Sequence, residues 1–258
     1  MDPLDMAGKV VLVTGGTRGV GKGIATAFSA AGAQVVVCGR KPPEVADSEP
    51  GHEFVACDVR QPEQVDQLVT AILASHSRLD VAVNNAGGAP YAEAATASPR
   101  FSTAIVTLNL LAPLFVAQRV NEVMQAQADG GSIINIASIS GLRPSPGAAA
   151  YGAAKAGLIN LTQTLAMEWA PKVRVNCVSA GMVRTEQANL FYGDEQGVAA
   201  VAATVPLGRM AEPADIGSLC VFLASPLAGY VSGANLVAHG GGERPPFLDA
   251  ANADHLGQ

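Results

Sequence analysis

Short apolar runs rich in Val and Ile alternate along the whole chain with longer stretches of helical periodicity, and this alternation restricts the fold more than any other feature. KVVLVTG (9–15), QVVVCG (34–39), EFVACDV (53–59), LDVAVNNAG (79–87), GSIINIAS (131–138), VRVNCVSAG (173–181) and ANLVAHGG (234–241) read as seven strands. Between them, residues 20–31, 62–77, 101–127, 148–170 and 213–224 carry helical patterns. Continuous apolar strands are buried on both faces, and repeated strand–helix–strand units build a parallel sheet covered by helices. The expectation is an α/β protein: one doubly wound domain over residues 1–258, with a seven-stranded parallel sheet flanked by helices. A hydrophobic share of 49%, a charged share of 15% and 28 glycines suit such a sheet under small-residue helices.

Two segments break the pattern. KPPEVADSEPGHE (41–53) holds too many prolines and acids for a long helix, so the crossover there is expected to be abbreviated. Residues 185–210, polar and Ala-rich and containing FYGDEQG, follow the sixth strand, where the carboxyl ends of a parallel sheet open onto a ligand crevice. They are read as a mobile lid over a substrate.

Charge and residue usage narrow the function classes. A formal net charge of −6 without basic runs leaves no electrostatic footprint for nucleic acid. The start, MDPLDMAGKVVLV, has acids where a secretory signal has bases, and no apolar run reaches bilayer length, so a cytoplasmic protein with no membrane partner is expected. Cys38, Cys57, Cys177 and Cys220 lie far apart in apolar runs and read as buried free thiols. His52, His76, His239 and His255 show no ligand spacing, so no metal site is expected.

Directly after the first strand, Thr14-Gly15-Gly16-Thr17-Arg18-Gly19-Val20-Gly21 opens a helix. Glycines at 15, 19 and 21 permit a tight turn and close approach of the backbone to a pyrophosphate, whose charge the helix N-terminal N–H groups stabilise. The candidate phosphate-binding residues are Gly15, Thr17, Arg18, Gly19, Val20 and Gly21, and the fold expected around them is of the Rossmann type. About twenty residues on, the second strand ends in Cys38-Gly39-Arg40, where an acid would take a free ribose 2′-hydroxyl. Arg40 stands there instead and, with Arg18, can clamp a 2′-phosphate by charge-assisted hydrogen bonds. NADP(H) is therefore favoured, with NAD(H) the alternative if these side chains simply face water.

Tyr151 and Lys155 lie one helical turn apart on one face. A cation held beside a phenol favours the phenolate, which turns a weak acid into a usable general acid or base. Taken alone, such a pair is common and usually describes two solvated side chains on an amphipathic helix.

With TGGTRGVG, NNAG (84–87), IAS ending at Ser138 and YGAAK (151–155), the chain resembles the short-chain dehydrogenase/reductase family of the compact, roughly 250-residue type. The likeness runs nearly end to end. VPLGRMAEPADIGSLCVFLAS (205–225) and YVSGANL (230–236) resemble the branch that contains 3-oxoacyl-[acyl-carrier-protein] reductases and many secondary-alcohol dehydrogenases. The resemblance implies an oxidoreductase in which Tyr151 is the acid/base and Lys155 lowers its pKa and binds the nicotinamide ribose. It implies further that Ser138 holds the substrate oxygen and Asn109 supports a water relay to Lys155. Asn85, Ala86 and Gly87 would border the cofactor, the plain alternative being a strand-terminating turn. Asp58 and Val59 would grip the adenine, unless Asp58 is a helix cap. Gly181, Val183 and Thr185 would lie at the nicotinamide end.

Some positions depart from the family pattern. Ser179-Ala180-Gly181 stands where Pro-Gly is frequent, His239-Gly240-Gly241 where Asp-Gly-Gly is common, and a tail, 243–258, runs beyond. The lid from 187 to 204 is apolar apart from Asp194 and Glu195 and contains no Arg or Lys, which suits a ketone or acyl chain better than a strongly anionic substrate. Arg143 and Arg184 are the candidates for meeting an acyl carrier, or are merely solvated. Related enzymes imply a homotetramer through the helices of 101–127 and 148–170, with a dimer as alternative. Competing readings are an NAD-dependent secondary-alcohol dehydrogenase of the same family, an extended-type epimerase or dehydratase on a nucleotide sugar, and a non-catalytic NADP-binding sensor or scaffold.

Overall fold

The computed structural model describes residues 2–43 and 51–250. The strands are β1 (Val10–Thr14), β2 (Gln34–Gly39), β3 (His52–Ala56), β4 (Val81–Asn84), β5 (Gly131–Ser138), β6 (Val173–Ala180) and β7 (Asn235–Ala238). They form one sheet in the order β3-β2-β1-β4-β5-β6-β7, and every neighbouring pair is parallel. The order reverses between β1 and β4. At such a switch point the loops leaving the strands' carboxyl ends diverge and open a crevice.

Burial explains why the strands read as unbroken apolar runs. In β1, Val10 and Leu12 face one core and Val11 and Val13 the other, all at 2% exposure or less. One core is covered by α2 (Pro62–His76), α4 (Ala112–Ala126) and α5 (Ala149–Glu168), the other by α1 (Gly19–Ala30) and α8 (Pro213–Ala224). Pro62 and Pro213 stand at helix starts, where the missing N–H costs nothing. All four cysteines are buried free thiols. The β2–β3 crossover falls largely on 44–50, outside the described residues, as do 251–258 of the tail.

The helix expected to run unbroken over 101–127 does not. It comprises α3 (Pro99–Val106), a π-helical turn at Thr107–Leu111, and α4. Pro113 lacks an N–H, and its ring would clash with the Asn109 carbonyl in an uninterrupted α-helix; the wider turn accommodates it. Among the described residues this is the one helix long and apolar enough to cross a membrane, with a mean hydropathy of 1.6. Ala112, Val116, Ala117, Val120 and Met124 bury it against the sheet.

The lid segment is more ordered than its composition suggests. It forms α6 (Asn189–Tyr192) and α7 (Glu195–Ala203), the second capped by Asp194, whose Oδ1 accepts from Gln196 and Gly197 N–H at 3.1 and 3.0 Å. Ala188, Val198 and Met210 give it a small core of its own, with Met182 and Tyr192 packed alongside. A short helix, α9 (Pro246–Ala250), ends the described chain.

Candidate active site

The crevice floor is made by two turns bonded together. After β1 the chain turns through Gly15 and Gly19, both left-handed, with φ of +64° and +53°. A Cβ on Gly21 would come within 2.2 Å of the Gly15 carbonyl oxygen and 2.4 Å of Asn85 Nδ2, so only glycine fits. Asn85 Nδ2 donates to the carbonyls of Thr14 and Gly15 at 2.9 and 3.2 Å, and Thr14 Oγ1 accepts from the N–H groups of Asn85 and Ala86. The strand-end turn at 85–87 is thereby fixed to the glycine turn. Helix α1 begins with Arg18 as N-cap, no side-chain cap and no acid in its first turn. Its first N–H groups thus have no capping side chain as acceptor.

Arg40 follows β2 and, like Arg18, is exposed. A Cβ on Gly39 would lie 3.8 Å from Thr17 Oγ1, so the turns that carry Arg18 and Arg40 adjoin at the ends of β1 and β2. Asp58 stands behind them, after β3. Arg60 binds its carboxylate through Nη2 at 2.6 Å and Nε at 2.9 Å and, aided by the charge of Arg40, holds its pKa below the ordinary carboxylate value. Asp58 does not cap a helix, because the N-cap of α2 is Gln61. Val59 is buried.

Deeper in the crevice, Ser138, Tyr151, Lys155 and Asn109 converge. Ser138 ends β5 and accepts from Ser140 N–H at 3.1 Å, and its hydroxyl is near enough to the Tyr151 phenol to draw its pKa down. Lys155 is 3% exposed; its Nζ donates to the Ile136 carbonyl at 2.7 Å and lies 5.6 Å from the centre of the Tyr151 ring. Burial lowers the Lys155 pKa to about 8. Asn109, fully buried in the π-helical turn, lies with Lys155 against Gly87, where an added Cβ would be 2.7 Å from Asn109 Oδ1 and 3.3 Å from Lys155 Nζ.

The sequence-based expectation that Lys155 depresses the Tyr151 pKa is not met in this state. Burial raises it, the Ser138 hydroxyl acts in the opposite direction, and Tyr192 raises it further. The ammonium is directed to the Ile136 carbonyl, which explains its weak hold on the phenol. A phenol kept protonated is suited to giving a proton.

The far wall comes from the loop after β6. Gly181 bonds to the Ala238 carbonyl at 2.8 Å, and Val183 bridges to Ala211. Thr185 reaches back over the glycine turn, its methyl 3.6 Å from where a Gly19 Cβ would sit. Arg184 pairs with Glu195 at 2.8 Å and Arg143 with Glu243, so neither of these candidate cations is simply solvated.

Sequence reasoning gave no role to 88–100 and read 101–105 only as part of a helix at a subunit contact. Ala89, Pro90, Phe101 and Ile105 line a cavity of about 80 Å³ that ends at Tyr151. Tyr192 was missed as well, since nothing in FYGDEQG says which residue turns inward.

Residues 15–243 match the family model described as enoyl-(acyl carrier protein) reductase. The chain is 32% identical to the human dehydrogenase/reductase SDR family member 4 over 93% of its own length and 88% of the relative's. It is 34% identical to the 3-oxoacyl-[acyl-carrier-protein] reductase of Synechocystis sp., covering 92% and 97%. The ligand-free aldohexose dehydrogenase of Thermoplasma acidophilum superposes with a TM-score of 0.86 at 28% identity, covering 92% of this chain and 94% of that one.

Proposed function

Because the chain belongs to the short-chain dehydrogenase/reductase family, and so is an oxidoreductase acting on CH–OH groups with NAD(P), we propose that it interconverts a ketone or 3-oxoacyl group and a secondary alcohol, with NADP(H) as its cofactor. The observation that carries this reading is the convergence of Ser138, Tyr151, Lys155 and Asn109 on one crevice beside the glycine turn. A Gly21 cradle with no room for a Cβ, and a helix N-terminus without a cap, fit a pyrophosphate. When bound, the nicotinamide supplies or accepts the hydride.

The chain's own residues then manage charge and protons. In reduction, Ser138 donates to the carbonyl oxygen and stabilises the charge that develops there, while Tyr151 transfers its phenolic proton to it. Lys155 and Asn109, side by side at Gly87, form the inner end of the route that restores that proton. Oxidation reverses the roles. Arg18 and Arg40 hold the 2′-phosphate, Gly15, Thr17, Gly19, Val20 and Gly21 the pyrophosphate, and Asp58, Val59, Asn85, Ala86 and Gly87 the adenosine side. Gly181, Val183 and Thr185 meet the nicotinamide end, and residues 185–210 act as a lid over the substrate within the single domain.

The cavity of about 80 Å³ beside Tyr151 suits a small apolar substituent on the carbonyl carbon. Leu111 and Met167 are 38% and 84% exposed on the α3–α4 and α5 helices, which supports a homotetramer built on those faces, in a cytoplasmic enzyme. The test is NADPH consumption across ketones and 3-oxoacyl thioesters. Turnover of members of this panel is expected; NADPH binding with no turnover anywhere would restore the sensor reading.

A further inference from the structure

After β7 the chain turns back along the segment that leaves α7, at the carboxyl end of the sheet. Leu207 N–H donates to the Gly240 carbonyl at 3.0 Å and Arg244 N–H to the Thr204 carbonyl at 3.1 Å, so residues 240–244 are fastened to the segment that leaves α7. A Cβ on Gly240 would come within 2.6 Å of Val205, and one on Gly241 within 2.9 Å of Pro206; the two strips are in close contact. From this strap Glu243 reaches the opposite wall and accepts a hydrogen bond from Arg143. Arg143 stands in the loop that joins Ser138 to Tyr151, its Nη1 donating to the Pro144 carbonyl at 2.9 Å.

Tyr192 of the lid is the third member of the cluster. Its phenol feels both Glu243 and Arg143, and in turn acts on Tyr151. One ion pair thus joins the strap to the loop between Ser138 and Tyr151, and its charges are felt at Tyr192 of the lid. Its members are 41% and 29% exposed, a setting in which an ion pair adds little to stability, so its effect is sought on the charge offered to an incoming molecule. The lid between 187 and 204 supplies no cation, and Arg184 at its base is itself paired with Glu195. Released from Glu243, the Arg143 guanidinium would present its Nη2 donors to a substrate carboxylate while Nη1 stays on the Pro144 carbonyl.

We infer that the Glu243–Arg143 ion pair sets the charge selectivity of this site: Glu243 occupies the guanidinium that would otherwise bind a carboxylate, so the site takes uncharged carbonyl and hydroxyl compounds and turns away oxo acids. This rests on the carbonyl-reductase reading above. The probes are ethyl acetoacetate and acetoacetate, a neutral 3-oxo ester and its acid. For each, kcat/KM is measured with NADPH, and acetoacetate binding is measured by calorimetry without turnover.

Glu243→Gln is expected to shift the acid-to-ester ratio of kcat/KM, and the acetoacetate affinity, about tenfold towards the acid, as one new charge-assisted hydrogen bond would. Adding Arg143→Gln should abolish the gain, which general loosening of the strap would not do. An unchanged affinity and ratio in Glu243→Gln, or a gain that survives the loss of Arg143, overturns the inference. Absence of turnover on either probe by all proteins counts against this substrate class, while the calorimetry still decides the role of Glu243.

Discussion

The side-chain amide of Asn109 is paired in both directions with the main chain of Gly88: Oδ1 accepts from the Gly88 N–H at 2.9 Å and Nδ2 donates to the Gly88 carbonyl at 3.0 Å. The same Nδ2 also donates to the Ile105 carbonyl at 2.9 Å. The π-helical turn and the loop after β4 are therefore locked together next to Lys155, so the placement of Asn109 is set by main-chain geometry as much as by chemistry.

Replacing Asn109 by Ala removes all three bonds at a fully buried position and leaves the Gly88 N–H and carbonyl without this partner. A loss of about 2–4 kcal/mol is expected in urea unfolding. Because Asn109 also stands beside Lys155 on the proposed proton route, kcat should fall more than NADPH affinity. An unfolding midpoint equal to that of the wild type would show that the lock is dispensable.

Gly21→Ala tests the cradle. The new Cβ would lie 2.2 Å from the Gly15 carbonyl oxygen, a backbone atom that cannot step aside without opening the turn. NADPH binding, followed by fluorescence titration, should weaken by about a hundredfold or more, given that positions off by about 1 Å cost on that order. A variant that binds as the wild type does would mean that the turn does not approach the cofactor.

Lys155 gives a pH signature independent of activity. Its folded pKa, about 8, lies below the ordinary lysine value of 10.5, so between these values the unfolded chain binds more protons than the folded one. Stability from this group consequently rises with pH from about 8 to 10.5 and is lost as pH falls through the folded value. The full span is worth about 3 kcal/mol. Lys155→Met should lack this rise, so the wild type's advantage in unfolding free energy over the variant should grow between pH 7.5 and 10; parallel curves would place the folded pKa near its ordinary value.

The sheet and the glycine turn were legible because each depends on local pattern: apolar runs such as VVLV at 10–13 are buried on both faces, and Gly15, Gly19 and Gly21 occupy positions that side chains cannot. The π-helical turn was not, although Pro113 in the middle of a helical pattern was its signal. Nor could spacing give the direction of the Tyr151 shift, which depends on how deeply the pair is buried and on Lys155 choosing the Ile136 carbonyl. The Arg143–Glu243 contact joins residues 100 positions apart, and no local pattern encodes such a pairing.

Arg40→Ala separates the two cofactors. If Arg40 meets a 2′-phosphate, the substitution removes a charge-assisted contact that NADH never makes. NADPH affinity should drop about tenfold or more while NADH affinity changes less than about twofold. Equal effects on both, measured by titration, would return Arg40 to the solvent and favour NAD(H).

Tyr151→Phe deletes one oxygen and keeps the ring beside the Lys155 ammonium, 5.6 Å from its centre. The buried packing around α5 is retained, so NADPH affinity and unfolding midpoint should stay close to the wild-type values. Turnover should not: loss of a positioned general acid costs about 10²–10⁴-fold in kcat. Ser138 keeps its hydroxyl in this variant, so a small residual rate from oxyanion stabilisation alone is compatible with the assignment. A variant retaining a tenth or more of the wild-type kcat would show that the proton reaches the substrate oxygen from another group, and Tyr192, the other phenol beside Tyr151, would be the next residue to replace.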